Sequence, residues 1–395
     1  MKILFINSVI KKGSTGKIVY SLAQKCAKDG NDVVVAFGRG NIQKSNIRYF
    51  KVSSKVGILI HVLLSRLFDV SGFCSKIATN KFIKFIDKEK PDIVNIHNIH
   101  GYYINVPILL NYLAKHHIKT VFTLHDCWLF TGHCAYFDSI GCSKWKSCCN
   151  KCFKKRDYPK SILFDRSCQN FMIKKKSILK FQKTDVCFVT PSVWLKNICN
   201  ETYIKDFDVY TIHNGIDVSL FSKKIKINKK FEILGAASPW SKRKGFDDFL
   251  KLSCLLDKDV YEIILIGLTK KQISLCKKFG INGVGIVSND EMIRHYQKSD
   301  LFVNFTYEDN YPTVNLEALA CGTPVLSYDT GGSGECIIDK DFVVKKGDVS
   351  LAAETIKKYK ETIKSLKVRL KTPYEISFDK MYGEYIDLFK RISIL

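Results

Sequence analysis

The chain has 395 residues, 46% of them hydrophobic, and a mean hydropathy of −0.05, enough for two globular domains each with its own core. The longest nearly unbroken apolar run, 56–64 (VGILIHVLL), is too short to cross a bilayer, and the opening MKILFINSVIKKG lacks the apolar core and cleavage site of a signal peptide. The net charge of +25 is lopsided: residues 1–200 hold 33 Lys and Arg against 11 Asp and Glu, residues 201–395 hold 30 against 27. Either one face of the N-terminal half meets something anionic, or lysine is simply the solubilising residue of choice. Fifteen cysteines without an export signal read as reduced thiols of a cytosolic protein, with a local metal cluster as one use.

Apolar, β-rich runs alternate with helical stretches. In the first half they are 2–10, 31–37, 91–97, 119–124 and 185–190. In the second half they are 231–237, 261–266, 284–287, 301–305 and 324–328. Continuous apolar strands spaced by helices predict parallel sheets covered on both faces. Two such series predict two doubly wound α/β domains, with a boundary near TIHNGID (211–217). No internal repeat or low-complexity segment is present. In such sheets ligands bind beyond the strand C-termini.

Candidate sites follow in chain order. NSVIKKGSTGKIVYSL (7–22) is a Gly-rich turn into a helix, but Gly13 and Gly16 are too close for a Walker A loop, and Ile18 stands where Ser or Thr must follow the Lys. Gly16 either lets backbone approach a ligand or makes a plain turn. KVSSKVGILIHVLLSRLFDV (51–70) is an apolar helix with basic flanks. It either packs on the first sheet or lies along a membrane with its cations on anionic headgroups. His97 and His100 follow one strand, His125 and Asp126 another. Cys134, Cys142, Cys149 and Cys152 end in a CxxC that suits a structural tetrahedral zinc, with free thiols packing a long loop as the alternative. SKRKGFDDF (241–249) follows the first strand of the second series.

The stretch EDNYPTVNLEALACGTPVLSYDTGG (308–332) carries the sharpest signal. Pro312 suits the first position of a helix running to about Ala320, with Gly322 as its C-terminal cap. The amides near Thr313 and Val314, with the helix dipole, make an anion site for which a diphosphate is the natural guest. Glu317, one turn in, is placed for ribose hydroxyls, and Asp309, before the helix, for sugar hydroxyls.

This stretch, with its specific match NLEALACGTPV, resembles the acid–seven residues–acid motif of retaining glycosyltransferases of family 4, which have the GT-B fold. PDIVNIHNIHGYYIN (91–105), TLHDCWLFTGHCAYF (123–137), HNGIDVSLF (213–221) and SPWSKRKGFDDFL (238–250) extend the resemblance along nearly the whole chain. It is strongest to the branch that builds capsular polysaccharide and lipopolysaccharide O-antigen in bacteria. The resemblance implies two facing Rossmann-like domains with catalysis between them. Residues 1–210 would bind acceptor, 211–375 nucleotide sugar, and a helix at 376–395 would cross back onto the first domain.

By the same resemblance, Glu317 binds the donor ribose. The first acid, usually Glu, is Asp309 by spacing or Glu308, one residue early. Lys244 meets the donor diphosphate, and Arg243 substitutes for a strand-end Arg where this chain reads Ala-Ser-Pro. Gly16, Tyr311, Pro312, Thr313 and Val314 complete the donor site, His125 contacts the transferred sugar, and His97 and His100 line the acceptor pocket. The implied reaction is retaining and, with no convincing DxD sequence, metal-independent. The donor is of UDP or GDP type, and the acceptor a lipid-linked glycan. The expected place is cytoplasmic, peripherally bound to the anionic inner face of the plasma membrane. A nucleotide-sugar epimerase or phosphorylase on the same fold is the nearest alternative. A basic zinc-containing nucleic-acid binder is a further one, but no nucleic-acid module is recognisable.

Overall fold

The computed structural model describes residues 1–40, 42, 46–221, 228–369 and 374–394, with side chains of 365–369 left aside. The chain forms two compact units, Met1–Ile212 with Tyr382–Leu395, and His213–Met381.

The first unit holds strands β1 (Lys2–Val9), β2 (Asp32–Arg39), β3 (Arg48–Lys51), β4 (Ile93–Ile96), β5 (Thr120–Thr123), β6 (Val186–Thr190) and β7 (Asp208–Thr211). Helices α1 (Gly13–Lys28), α2 (Lys55–Phe68), α3 (Lys76–Glu89), α4 (Val106–Lys115), α5 (Ser167–Ile178) and α6 (Val193–Cys199) connect them. The sheet is all parallel in the order β3-β2-β1-β4-β5-β6-β7. Its central strands are buried on both faces, which is why they read as unbroken apolar runs.

The second unit holds β8 (Phe231–Ala236), β9 (Tyr261–Ile266), β10 (Asn282–Val284), β11 (Leu301–Asn304), β12 (Val325–Asp329) and β13 (Val343–Lys345). Its helices are α7 (Phe246–Leu255), α8 (Lys270–Lys278), α9 (Asn289–Lys298), α10 (Thr313–Ala320), α11 (Val349–Lys358) and α12 (Lys360–Arg369). This sheet too is all parallel, in the order β10-β9-β8-β11-β12-β13. The last helix, α13 (Phe378–Ile394), begins among second-unit residues and from Tyr382 onward packs with the first. There Tyr385 donates or accepts a hydrogen bond with Thr123 Oγ1 at 3.1 Å and Tyr382 donates to Asp29 Oδ2 at 2.6 Å. Residue 395 of the expected terminal helix lies outside the described residues.

Three strands escape the apolar-run reading: β3 (RYFK), β7 (DVYT) and β13 (VVK). All are sheet edges and are only partly buried, so their sequences carry no continuous apolar signal.

Strand order reverses direction between β1 and β4 in one sheet and between β8 and β11 in the other. Connections leave such a pair on opposite faces, and the strand ends stay open there. At the first reversal His97 N donates to Ile6 O at 2.9 Å and Asn98 N to Asn7 Oδ1 at 3.1 Å. At the second, Tyr307 N donates to Arg243 O at 2.8 Å. Gly245 sits there at φ +73°, and a Cβ on it would lie 2.2 Å from the Phe305 carbonyl oxygen. A side chain at this position strains the backbone and pushes two loops apart. Gly245→Ala is therefore expected to cost more than about 2 kcal/mol of stability, measured by thermal and urea unfolding. An unchanged midpoint would show that the loops separate freely.

Candidate active site

In the second unit the loop after β8 and the loop after β11 are laced together. Arg243 Nη1 donates to Glu308 O at 2.7 Å, and Thr306 Oγ1 donates to the same carbonyl at 3.2 Å. Lys244 Nζ donates to Asp309 Oδ2 at 2.7 Å, with both side chains about one-fifth exposed, at 23 and 20%. Glu308 is buried, so of the two candidate acids it is Asp309 whose carboxylate faces the loop lysine. Arg243 lies beside Lys244 in the same loop, and its Nη1 braces the acid loop through Glu308 O.

Helix α10 begins at Thr313. Pro312 is one position earlier than expected: its φ of −71° and ψ of 121° make it the extended N-cap residue. It brings no side-chain cap, so the amide end at Thr313 and Val314 is not closed by a side chain. The far end is as the sequence reads: Gly322 takes φ +75° and Thr323 N donates to Ala318 O. Glu317 is partly exposed, and its Oε2 accepts from Tyr296 Oη at 3.1 Å. Burial first, then the Glu317 charge, pushes the Tyr296 hydroxyl well above its usual range, so it stays a donor that fixes the carboxylate. Tyr311 is buried with its ring 4.8 Å from His213, and its carbonyl accepts from Asn214 Nδ2 at 3.1 Å. Asn304 Nδ2 donates to Asn315 Oδ1, and Asn315 Nδ2 to Ser333 O, which ties β11, α10 and the Gly-rich loop into one body. Asp247-Asp248 serves structure: Asp248 Oδ2 accepts from Tyr307 Oη at 2.7 Å and Tyr328 Oη at 3.0 Å.

In the first unit the histidines form two chains of hydrogen bonds. Asn95 Nδ2 donates to Val121 O and Thr123 Oγ1, so its Oδ1, 2.7 Å from His97 Nε2, is the acceptor. His97 Nδ1 is then the lone-pair nitrogen and accepts from His125 Nε2 at 2.8 Å. Burial holds His97 well below its ordinary value, and burial lowers His125 to about 4 despite the nearby Asp126 charge. Both rings are neutral at pH 7, and the tautomer of His125 is set from Asn95. In the second chain His100 Nε2 meets Asp126 Oδ2 at 2.9 Å and His100 Nδ1 meets Tyr158 Oη at 3.1 Å. Burial opposes ionisation of Asp126, but the His100 contact and the Trp128 amide hold its carboxyl below the usual range. His97, His100 and His125 thus come together at the ends of β4 and β5.

Gly16 lies inside α1, packed against the chain after β1. Its carbonyl accepts from Lys11 N at 3.2 Å, and a Cβ would meet Val9 Cγ2 at 3.2 Å and Lys11 N at 3.3 Å. It permits a close turn at the first sheet's reversal.

Cys134, Cys142, Cys149 and Cys152 lie near one another in the loop between β5 and α5. The Cys134 and Cys152 thiols are neighbours, and Cys149 is buried beside Gly132. Yet among the described residues no three His, Cys, Asp or Glu side chains are arranged to hold a metal ion, and all fifteen thiols are unbridged. The same loop packs through aromatic rings, Phe137 stacking on Trp145 at 4.8 Å. The buried Lys174 lies 3.7 Å over the Trp128 ring and donates to the Trp128 carbonyl.

Tyr296, Asn95 and Tyr158 escape sequence reading. Each acts on a site residue from a separate element or loop, and no spacing rule links them.

Two doubly wound parallel sheets, the second with an acid on each side of a helix N-terminus, define a GT-B glycosyltransferase. The family described as "Glycosyltransferase Family 4" matches residues 15–220, and "Glycosyl transferases group 1" matches 217–370. The chain belongs to glycosyltransferase family 4. It is 23% identical to WcaC of Escherichia coli (strain K12), whose name assigns it to colanic acid biosynthesis as a glycosyl transferase, over 99% of this chain and 100% of that one. Over 30% of the chain and 32% of the relative, it is 29% identical to the N,N'-diacetylbacillosaminyl-diphospho-undecaprenol alpha-1,3-N-acetylgalactosaminyltransferase of Campylobacter jejuni. Among solved structures it resembles Thermosynechococcus elongatus sucrose-phosphate synthase (TM-score 0.70, 14% identity, 99% of this chain and 98% of that one). It also resembles Anabaena Alr3699/HepE in complex with UDP (TM-score 0.65, 15% identity, 99% and 100%).

The buried imidazoles set a pH response. His125 and His61 ionise near 4 when folded, against an ordinary 6.5, in both cases because burial disfavours the charged ring. Between those values the unfolded chain binds protons that the folded chain refuses, so stability is full above about pH 6.5 and falls as pH drops toward 4. Melting temperatures recorded from neutral pH downward should show this loss. A flat profile would mean that the rings are charged in the fold.

Proposed function

We propose that this glycosyltransferase moves a sugar from a nucleotide-diphosphate donor to a lipid-linked glycan acceptor. In this reading it retains anomeric configuration, uses no metal, and serves synthesis of a bacterial surface polysaccharide. The observation that carries the reading is the constellation at the second sheet's reversal: the Lys244–Asp309 pair, the uncapped end of α10, and Glu317 held by Tyr296. The assignment of WcaC, the diphospho-undecaprenol named for the Campylobacter relative, and the UDP complex of the Anabaena structure support the substrate classes.

In this reading the donor diphosphate lies at the amides of Thr313 and Val314, Glu317 accepts from the ribose hydroxyls, and Asp309 from the sugar. Arriving phosphate draws Lys244 from Asp309, which frees that carboxylate for the sugar. As the bond from the anomeric carbon to phosphate oxygen breaks, charge builds on the departing diphosphate. Lys244, Arg243 and the helix end stabilise it there. The acceptor oxygen forms its bond from the same face, and its proton passes to the departing phosphate oxygen. In the first unit His125, neutral and oriented by His97, does not compete for that proton. His97 and His100 line the acceptor pocket. Among the described residues no helix is long and apolar enough to cross a membrane. A lipid-linked acceptor places the enzyme on the inner face of the plasma membrane as a peripheral protein.

UDP- and GDP-sugars should raise the melting temperature, and Glu317→Ala should abolish the effect. Lys244→Ala should weaken donor binding by about 1.5–3 kcal/mol, tenfold or more. Tyr296→Phe should weaken it less, since only the orientation of Glu317 is lost. Stabilisation by no nucleotide sugar, or equal stabilisation of Glu317→Ala, overturns the reading. NMR of the product anomer tests retention: inversion would exclude same-face attack.

A further inference from the structure

Helix α2 is well formed yet mostly uncovered. Ser54 Oγ caps it by accepting from Gly57 N at 3.0 Å, and Asp69 closes it with its amide on Ser65 O at 2.9 Å. Ile58, His61 and Ser65 are buried, and Val62 packs partly buried against the core. Val56, Leu59, Ile60, Leu63 and Phe68 stand outward. A second apolar strip continues this face: Ile162 N donates to Arg66 O at 2.6 Å, Phe164 N to Leu67 O at 3.2 Å, and the Phe164 ring stacks on Phe68 at 5.5 Å. The outward side chains of α2 and of Ile162, Leu163 and Phe164 are between 41 and 67% exposed. A continuous ridge of this kind marks an interaction surface.

Charge selects the partner. Residues 51–68 contain no Asp or Glu, but do contain Lys51, Lys55 and Arg66, all exposed. Lys160 and Arg166 flank the second strip. Nearby acids are engaged: Asp165 by Cys152 N, Ser167 N and Ser167 Oγ, and Asp69, at the end of α2, by His133 Nδ1 and Arg166 N. A two-fold contact between copies would set these cations against each other. An anionic headgroup layer neutralises them while the acyl boundary takes the apolar side chains.

We infer that the outer face of α2 and the strip 162–164 form a docking ridge that seats the first unit on an anionic phospholipid bilayer. The ridge is also joined to the acceptor pocket by packed rings. From the inner face of α2 the His61 ring meets Tyr102 at 5.8 Å, Tyr102 meets Tyr158 at 6.1 Å, and Tyr158 Oη reaches His100 Nδ1 at 3.1 Å. Packing thus couples the ridge to His100, which the reading above places in the acceptor pocket. This last step rests on the lipid-linked acceptor proposed above; the docking itself does not.

The test is sedimentation with phosphatidylglycerol-containing and pure phosphatidylcholine vesicles at low and high salt. Wild type should bind the anionic vesicles, and less so as salt rises. Leu59→Ser with Leu63→Ser should cut vesicle affinity by about tenfold or more, and Phe164→Ser by less. Lys51→Glu with Lys55→Glu should abolish the preference for anionic lipid. All these side chains are exposed, so unchanged melting temperatures control for folding, and donor-induced stabilisation should persist. Wild type that ignores anionic vesicles, ridge variants that bind like wild type, or a wild-type dimer that Leu59→Ser with Leu63→Ser dissociates would each overturn the docking ridge. Loss of donor stabilisation with vesicle binding intact would strike the transferase reading instead.

Discussion

Close approach of two loops at a sheet reversal underlies the rest of this architecture. β8 and β11 are neighbours whose connections leave in opposite directions. Past their ends the backbone of Gly245 comes against the Phe305 carbonyl, and Arg243 and Tyr307 are hydrogen-bonded across the gap. Only a residue without a side chain fits that contact at positive φ. Once the loops are locked, Lys244 and Asp309 meet and the open end of α10 stands beside them. A shift of either loop by the width of a methyl group would separate the cation from the acid.

The site handles charge with fixed dipoles and a few ions. The end of α10 carries partial positive charge that needs no reorganisation, and Lys244 adds a full charge held in place by Asp309. Glu317 is constrained differently, by a tyrosine that burial keeps protonated. In the first unit burial acts on bases. Rings of His97 and His125 remain neutral and share one proton direction, which starts at the Asn95 amide. Both units therefore use burial to choose protonation states before any ligand arrives.

The surfaces of the chain divide labour in the same manner. The excess of Lys and Arg lies in residues 1–200, and there α2 leaves its apolar side uncovered. A soluble helix with this sequence would ordinarily turn Leu59 and Leu63 inward. They stay outside because His61 and Ser65 take the inner positions, where the His61 ring is hydrogen-bonded to Ser75 Oγ and Gly72 N.

Residue pattern alone determined the two parallel sheets, since a strand buried on both faces must be apolar throughout, and it determined the acid–helix–acid element, since Gly322 and the spacing of Asp309 and Glu317 are local facts. Edge strands such as β3 and β13 were illegible for the same reason in reverse: one open side removes the apolar signal. Tertiary structure decided which acid faces Lys244, that Arg243 reaches the Glu308 carbonyl, that Cys134 and Cys152 become neighbours, and that α2 is exposed. Those outcomes depend on contacts between residues tens of positions apart. A local pattern records what a side chain can do, whereas the partner it meets is set by how sheets and loops pack.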